Sequence, residues 1–130
     1  MKLIGFIKEH NDISESQKYT SIRGGTFHDP HMLERVVRYL GEGVLILGWM
    51  GYFLDIEDNT PISPDCYYTD GVYIWPAYFP YYLRKLDGYK INDEFLSHIA
   101  ANNYRVNQSG LSEATKIKLE ERLSKLLAQR

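Results

Sequence analysis

Hydrophobic and polar positions change period several times along the chain, and each change marks an element. Residues 2–7 are mostly apolar and predict a short first strand. Residues 10–25 are rich in Asn, Asp, Ser and Gly and predict a long loop, with room for a brief strand over 20–23. Leu33, Val36, Val37 and Leu40 then fall at i, i+3, i+4 and i+7, the stripe of a half-buried helix. Asp29 supplies an N-cap, Pro30 suits the first turn and Gly41 the C-terminal stop, which predicts a helix over 30–40.

Beyond Gly41 the period falls to two. Residues 44–47 and 52–56 are apolar, β-rich runs, and residues 57–61 form a turn cluster. Residues 66–69 and 72–75 flank Asp70 and Gly71, a dipeptide that favours a type I′ hairpin. Pro76 ends that strand. Pro80 is tolerated only in a first helical turn, so a helix begins between Ala77 and Pro80 and runs to Leu86, with Phe79, Tyr82, Leu83 and Leu86 on its apolar face. Asn92 caps a third helix bearing Phe95, Leu96 and Ile99 inward. Residues 104–111 read as a linker. Ser112 caps a last helix to residue 128, striped by Leu119, Leu123, Leu126 and Leu127. The pattern predicts one α+β domain over 1–130, with a core of 1–103. In it an antiparallel β-meander of three to five strands packs against three helices, with an extra C-terminal helix.

Composition bounds the class. At 130 residues and 44% apolar content the chain can bury a core. One cysteine, Cys66, rules out an internal disulfide framework and fits a reducing compartment. The N-terminus lacks the apolar run of a secretory signal, and no stretch approaches the length a membrane span needs. A cytoplasmic location without membrane contact is expected.

Charge is unevenly spread. Residues 41–83 contain six acids (Glu42, Asp55, Glu57, Asp58, Asp65 and Asp70) and no Lys or Arg, while residues 84–130 carry nine bases against six acids. The middle third would repel phosphate, so no nucleic-acid partner is expected, and it would attract a basic protein surface. The alternative is that these acids cap turns and lie apart in space.

Candidate chemistry is sparse. His28 and His31 have a metal-like spacing, but a zinc site needs three or four convergent ligands. No metal and no cofactor are expected. Paired glycines at 24–25 and around Glu42 match no phosphate-binding loop. Cys66 has no local activating base. Asp55, Glu57 and Asp58 form a solvated turn, an acid/base pair or an acidic docking edge. Seven tyrosines crowd residues 67–89 (Tyr67, Tyr68, Tyr73, Tyr78, Tyr81, Tyr82 and Tyr89). That density predicts some rings in cross-strand pairs and others displayed for an interface.

The segment Thr69-Asp70-Gly71-Val72-Tyr73-Ile74-Trp75-Pro76, followed by Tyr81-Tyr82 and then Phe95-Leu96-Ser97-His98, resembles a family of small bacterial proteins. These carry T-D-G-x-W-x-W-P, a helix with Y-Y and an E-F-L-x-H helix. Tyr39-Leu40-Gly41-Glu42-Gly43 fits their upstream Y-L-x-x-G. The likeness spans residues 30–100. The chain departs from it at Tyr73, where the family has Trp, at Pro80, and in the helix from 112. The family is similar to immunity proteins of polymorphic-toxin and contact-dependent growth inhibition systems. The resemblance implies a non-enzymatic protein that binds and neutralises the C-terminal domain of a cognate toxin, such as a nuclease with a basic cleft. The expected docking edge is Asp55, Glu57, Asp58, Asp65, Tyr67 and Tyr68. Asp70, Gly71, Trp75, Pro76 and Tyr82 are expected to be structural. Two other readings stay open: a small hydrolase pairing His28 or His98 with Asp55 or Asp58, and a homodimeric scaffold joined through residues 112–128.

Overall fold

The computed structural model describes residues 2–25, 27, 29–86 and 88–128. Four strands form one sheet: β1 (Lys2–Leu3), β2 (Val44–Leu54), β3 (Pro61–Thr69) and β4 (Tyr73–Pro76). Their order across the sheet is β1-β4-β3-β2. The β2–β3–β4 meander is antiparallel, and β1 adds to β4 in parallel. With helices α1 (Pro30–Gly41), α2 (Phe79–Lys85), α3 (Asp93–Ala101) and α4 (Glu113–Ala128), this is an α+β fold with a C-terminal helix.

Several boundaries differ from the pattern. The first strand stops at Leu3. The chain leaves the sheet at Gly5, where the Phe79 ring fills the space a side chain would need. The two apolar runs after Gly43 are one strand, β2, interrupted by a bulge. The hairpin turn is not type I′. That turn needs φ > 0 at both central residues, and here only Gly71 (φ 103°) is positive. Side chains complete the turn instead. Asp70 Oδ1 accepts from the Val72 and Tyr73 amides at 2.9 and 2.8 Å, and Thr69 Oγ1 accepts from the Gly71 amide at 3.0 Å.

The helices follow their caps. Asp29 accepts from the His31 and Met32 amides, Asn92 from those of Glu94 and Phe95, and Ser112 from that of Thr115. Each satisfies donors that the first turn leaves free. Central strand β4 is buried throughout. Tyr73 and Trp75 meet Phe95 of α3 and Tyr39 of α1. On the other face Tyr67 stacks on Phe6 and meets Phe53 edge-on. Leu119, Leu123 and Leu127 of α4 are buried, and the helix packs on β2 of its own chain.

Most of the tyrosines between residues 67 and 89 are core residues. Tyr67, Tyr73, Tyr78, Tyr82 and Tyr89 are buried, and Tyr68 and Tyr81 are half-buried. None is displayed, contrary to the expected mixture. Hydrogen bonds make this density tolerable: a buried phenol needs a partner. Tyr78 accepts from the Ile7 amide at 2.8 Å and donates to Asn11 at 2.7 Å. Asn11 in turn donates to Tyr67 at 2.9 Å. The Tyr82 hydroxyl accepts from the Ile56 amide at 3.1 Å and meets His10 Nε2 at 2.8 Å.

Candidate functional site

Three places gather the sequence's candidate residues. The first is the β2–β3 turn. Asp55 is fully buried there, so it is not part of an exposed docking edge. Its carboxylate accepts from Lys85 Nζ at 2.7 Å, from the Glu57 amide at 2.7 Å and from the Tyr81 hydroxyl. Burial pushes its pKa up, but Lys85, Tyr81 and the turn amides outweigh that and hold it well below the carboxylate range. The bond to Asp55 raises Lys85 in return. Glu57 is exposed but engaged: it accepts from Tyr19 at 2.8 Å and lies 3.3 Å from Lys85 and 3.7 Å from Arg23. The acids of the base-free middle are thus partly neutralised by bases from either side of it. Asp58 remains exposed, its carboxylate accepting from Thr60 of its own turn.

The second place is Asp70, at the opposite end of β3. Besides the two turn amides, its side chain accepts from the Tyr39 hydroxyl and lies 2.8 Å from His98 Nε2. The Trp75 indole packs so closely on Gly43 that a Cβ there would lie 2.4 Å from it. Residues quoted from three separate motifs, Tyr39-Gly43, Thr69–Pro76 (Asp70 and Trp75) and Phe95-His98, therefore converge on one cluster joining α1, the β3–β4 turn and α3. His98 belongs to this cluster and not with Asp55 or Asp58, so the histidine–carboxylate pairing that a hydrolase reading needs does not form through His98. His28 lies outside the described residues. Among the described residues no group of three or more His, Cys, Asp or Glu is placed to hold a metal ion.

The third place is the exposed edge of the β2–β3 ribbon, strand β2, which charge and motif reasoning missed. Leu45 pairs with Tyr68, Gly48 with Cys66 and Tyr52 with Pro64. Paired residues share a face, and alternate residues of β3 share it too, so these six lie on one side. The opposite side carries Leu47, Phe53 and Tyr67 toward the core. Tyr67 is thereby removed from the docking edge, while Tyr68 shares the face of its partner Trp75 and is half-buried. Between Gly48 and Tyr52 three residues of β2 (Trp49, Met50 and Gly51) stand opposite one residue of β3, Asp65. Gly51 adopts φ 108°, which few other residues tolerate. The bulge projects Met50, 99% exposed, beside Trp49, 46% exposed, and Tyr52 follows at 67%. The signal in the sequence was Gly48-Trp49-Met50-Gly51: two glycines bracketing large apolar residues inside a β-rich run, the mark of a bulge.

Among the described residues, no backbone group outside β3 bonds to the backbone of residues 44–54. No charged residue lies in β2 either. Edge strands are ordinarily guarded by charge. Here register irregularities between Leu45 and Leu47, between Gly48 and Tyr52, and between Phe53 and Leu54 break the edge.

Residues 104–111 are tied to the fold through Glu42, which accepts from Arg105 Nε and the Val106 amide at 2.9 Å each. Among the described residues no helix is long and apolar enough to cross a membrane. No protein-family model, characterised protein or solved structure matches the chain.

Proposed function

We propose that this chain is an immunity protein, which binds a cognate toxin domain and neutralises it by covering its working surface. The carrying observation is the exposed apolar strip on β2. Leu45, Trp49, Met50, Tyr52 and Leu54 are all exposed on a strand at the edge of the sheet. At about 200 Å² per large side chain, they present roughly 600 Å² of apolar surface. Trp49 lies on the Tyr67 side and Leu45 and Tyr52 on the Tyr68 side, so this area is spread along the edge around the bulge, and exposed apolar surface concentrated in one region is commonly functional. Trp, Tyr and Met are also the residue types enriched at the centres of protein interfaces.

Electrostatics extend the reading. Asp58 stands exposed where the strip ends, while Glu57 beside it is already engaged by Lys85 and Arg23. A toxin nuclease with a basic cleft would be steered toward that end, gaining association rate and specificity. The resemblance of the Asp70–Pro76 region to immunity-type proteins points to the same partner class. On this reading the protein acts in the cytoplasm, needs no cofactor and performs no catalysis.

The test is co-expression with the protein encoded directly upstream. Its C-terminal domain is expected to be toxic alone, tolerated beside this chain, and recovered with it in one complex. Growth arrest that this chain does not relieve would refute the proposal.

A further inference from the structure

We infer that the β2 bulge is a preformed plug, and that the partner surface it fits is an apolar pocket with a cationic rim. This inference rests on the toxin-binding reading and says how binding is achieved.

The geometry carries it. Met50 is held almost wholly in solvent, with Gly51 at φ 108° fixing the chain around it. Trp49 sets its ring edge-on against buried Tyr67 at 6.0 Å, which anchors the base of the projection to the core. A flexible thioether on a rigid base suits an irregular apolar pocket. Little conformational entropy is lost on docking, because the backbone is already in place. Backbone strand addition is the poorer fit, since the bulge interrupts the regular ladder in the middle of β2.

Charge decides the occupant. Asp65 stands across the ribbon from the bulge, and its Oδ1 is buried with no hydrogen-bond partner among the described residues. Asp58 and Glu57 stand at the end of the same ribbon, beside a shallow groove between His10, Tyr52 and Asn59. With Glu57 already held by Lys85 and Arg23, the plug is an apolar tip flanked by two acids that no base pairs with among the described residues, Asp65 and Asp58. A second copy of the ribbon brings no cation to meet it, because residues 43–69 contain no Lys or Arg. A foreign pocket rimmed by Arg or Lys does.

The probe is the C-terminal domain encoded directly upstream, and the readout is its affinity for the full-length chain by titration calorimetry. Met50→Glu is expected to weaken binding about a hundredfold without moving the thermal midpoint, since the side chain touches little of its own fold. Met50→Leu should stay within about threefold of wild type. Asp58→Lys should slow association and flatten its salt dependence. If the wild-type chain binds and Met50→Glu binds equally well, the plug is refuted while the immunity reading stands. If the wild-type chain does not bind, both fall. If light scattering finds a wild-type dimer that Met50→Glu disperses, the occupant is a second copy and the inference is overturned.

Discussion

Lys85 Nζ lies 2.7 Å from the buried carboxylate of Asp55, joining the last turn of α2 to the end of β2. This pair closes the β2–β3 turn against the helix. Removing one partner of a buried ion pair leaves an uncompensated group, at a cost of about 3–5 kcal/mol. Lys85→Met strands the fully buried Asp55 carboxylate and should fall toward the high end, while Asp55→Asn leaves a Lys85 that keeps some solvent access and its contact with Glu57 and should fall toward the low end. The double variant should lose less than the two singles combined. Urea denaturation of the three variants measures this.

Protonation gives a second prediction. Burial among Phe53, Tyr78 and Tyr82 lowers the His10 pKa against the opposing pull of Glu9 and Asp55. A base lowered in the folded state binds fewer protons there than in the unfolded chain. Stability is therefore full above about pH 6.5 and declines as pH falls below it. Asp55 has the opposite chemistry and also loses on acidification. Its folded pKa is depressed, so its contribution is present above about pH 4 and is lost as pH falls through the lower folded value. Thermal midpoints at pH 8, 5.5 and 3.5 should decline in two stages, and His10→Gln should flatten the first.

The Asp70 cluster predicts a large effect from one substitution. Asp70→Ala leaves the Tyr39 hydroxyl, His98 and the Val72 and Tyr73 amides without their acceptor. With each orphaned buried group costing about 1–3 kcal/mol, the loss should reach about 3 kcal/mol or more. Gly43→Ala should be of similar size, because the clash is with the rigid indole of Trp75. Chemical denaturation with tryptophan fluorescence reads both.

How much of this was legible beforehand varies by element. Caps and helical stripes placed α1, α3 and α4 within a residue or two, since Asp29, Asn92 and Ser112 act through local chemistry alone. The hairpin was legible as a hairpin, but its turn type was not. Asp70 and Thr69 side chains replace the backbone geometry that a type I′ turn would need, and that depends on Tyr39 and His98 arriving from distant helices. Docking residues were the least legible. Acids and tyrosines look exposed in a sequence, yet Asp55 found Lys85, and Tyr67 found Asn11 across 56 positions. Trp49 and Met50 look like core and are not, because a two-residue excess on β2 leaves the bulge residues without regular partners on β3.

The C-terminal helix gives a prediction about assembly. Leu123 is fully buried within its own chain, so Leu123→Ala should cost about 2–5 kcal/mol, read by thermal denaturation at fixed concentration. Because that stripe is covered in cis, a dimer through residues 112–128 would have to draw on exposed positions such as Ile117. Light scattering of an Ile117→Glu variant against wild type tests it.

The central claim is that β2 and its bulge meet the partner. Amide hydrogen exchange on the full chain, with and without the upstream-encoded toxin domain, tests it most directly. Exchange should slow over residues 48–60, with α3 unchanged. Slowed exchange confined to α1 or α3, with residues 48–60 exchanging as in the free chain, would contradict it.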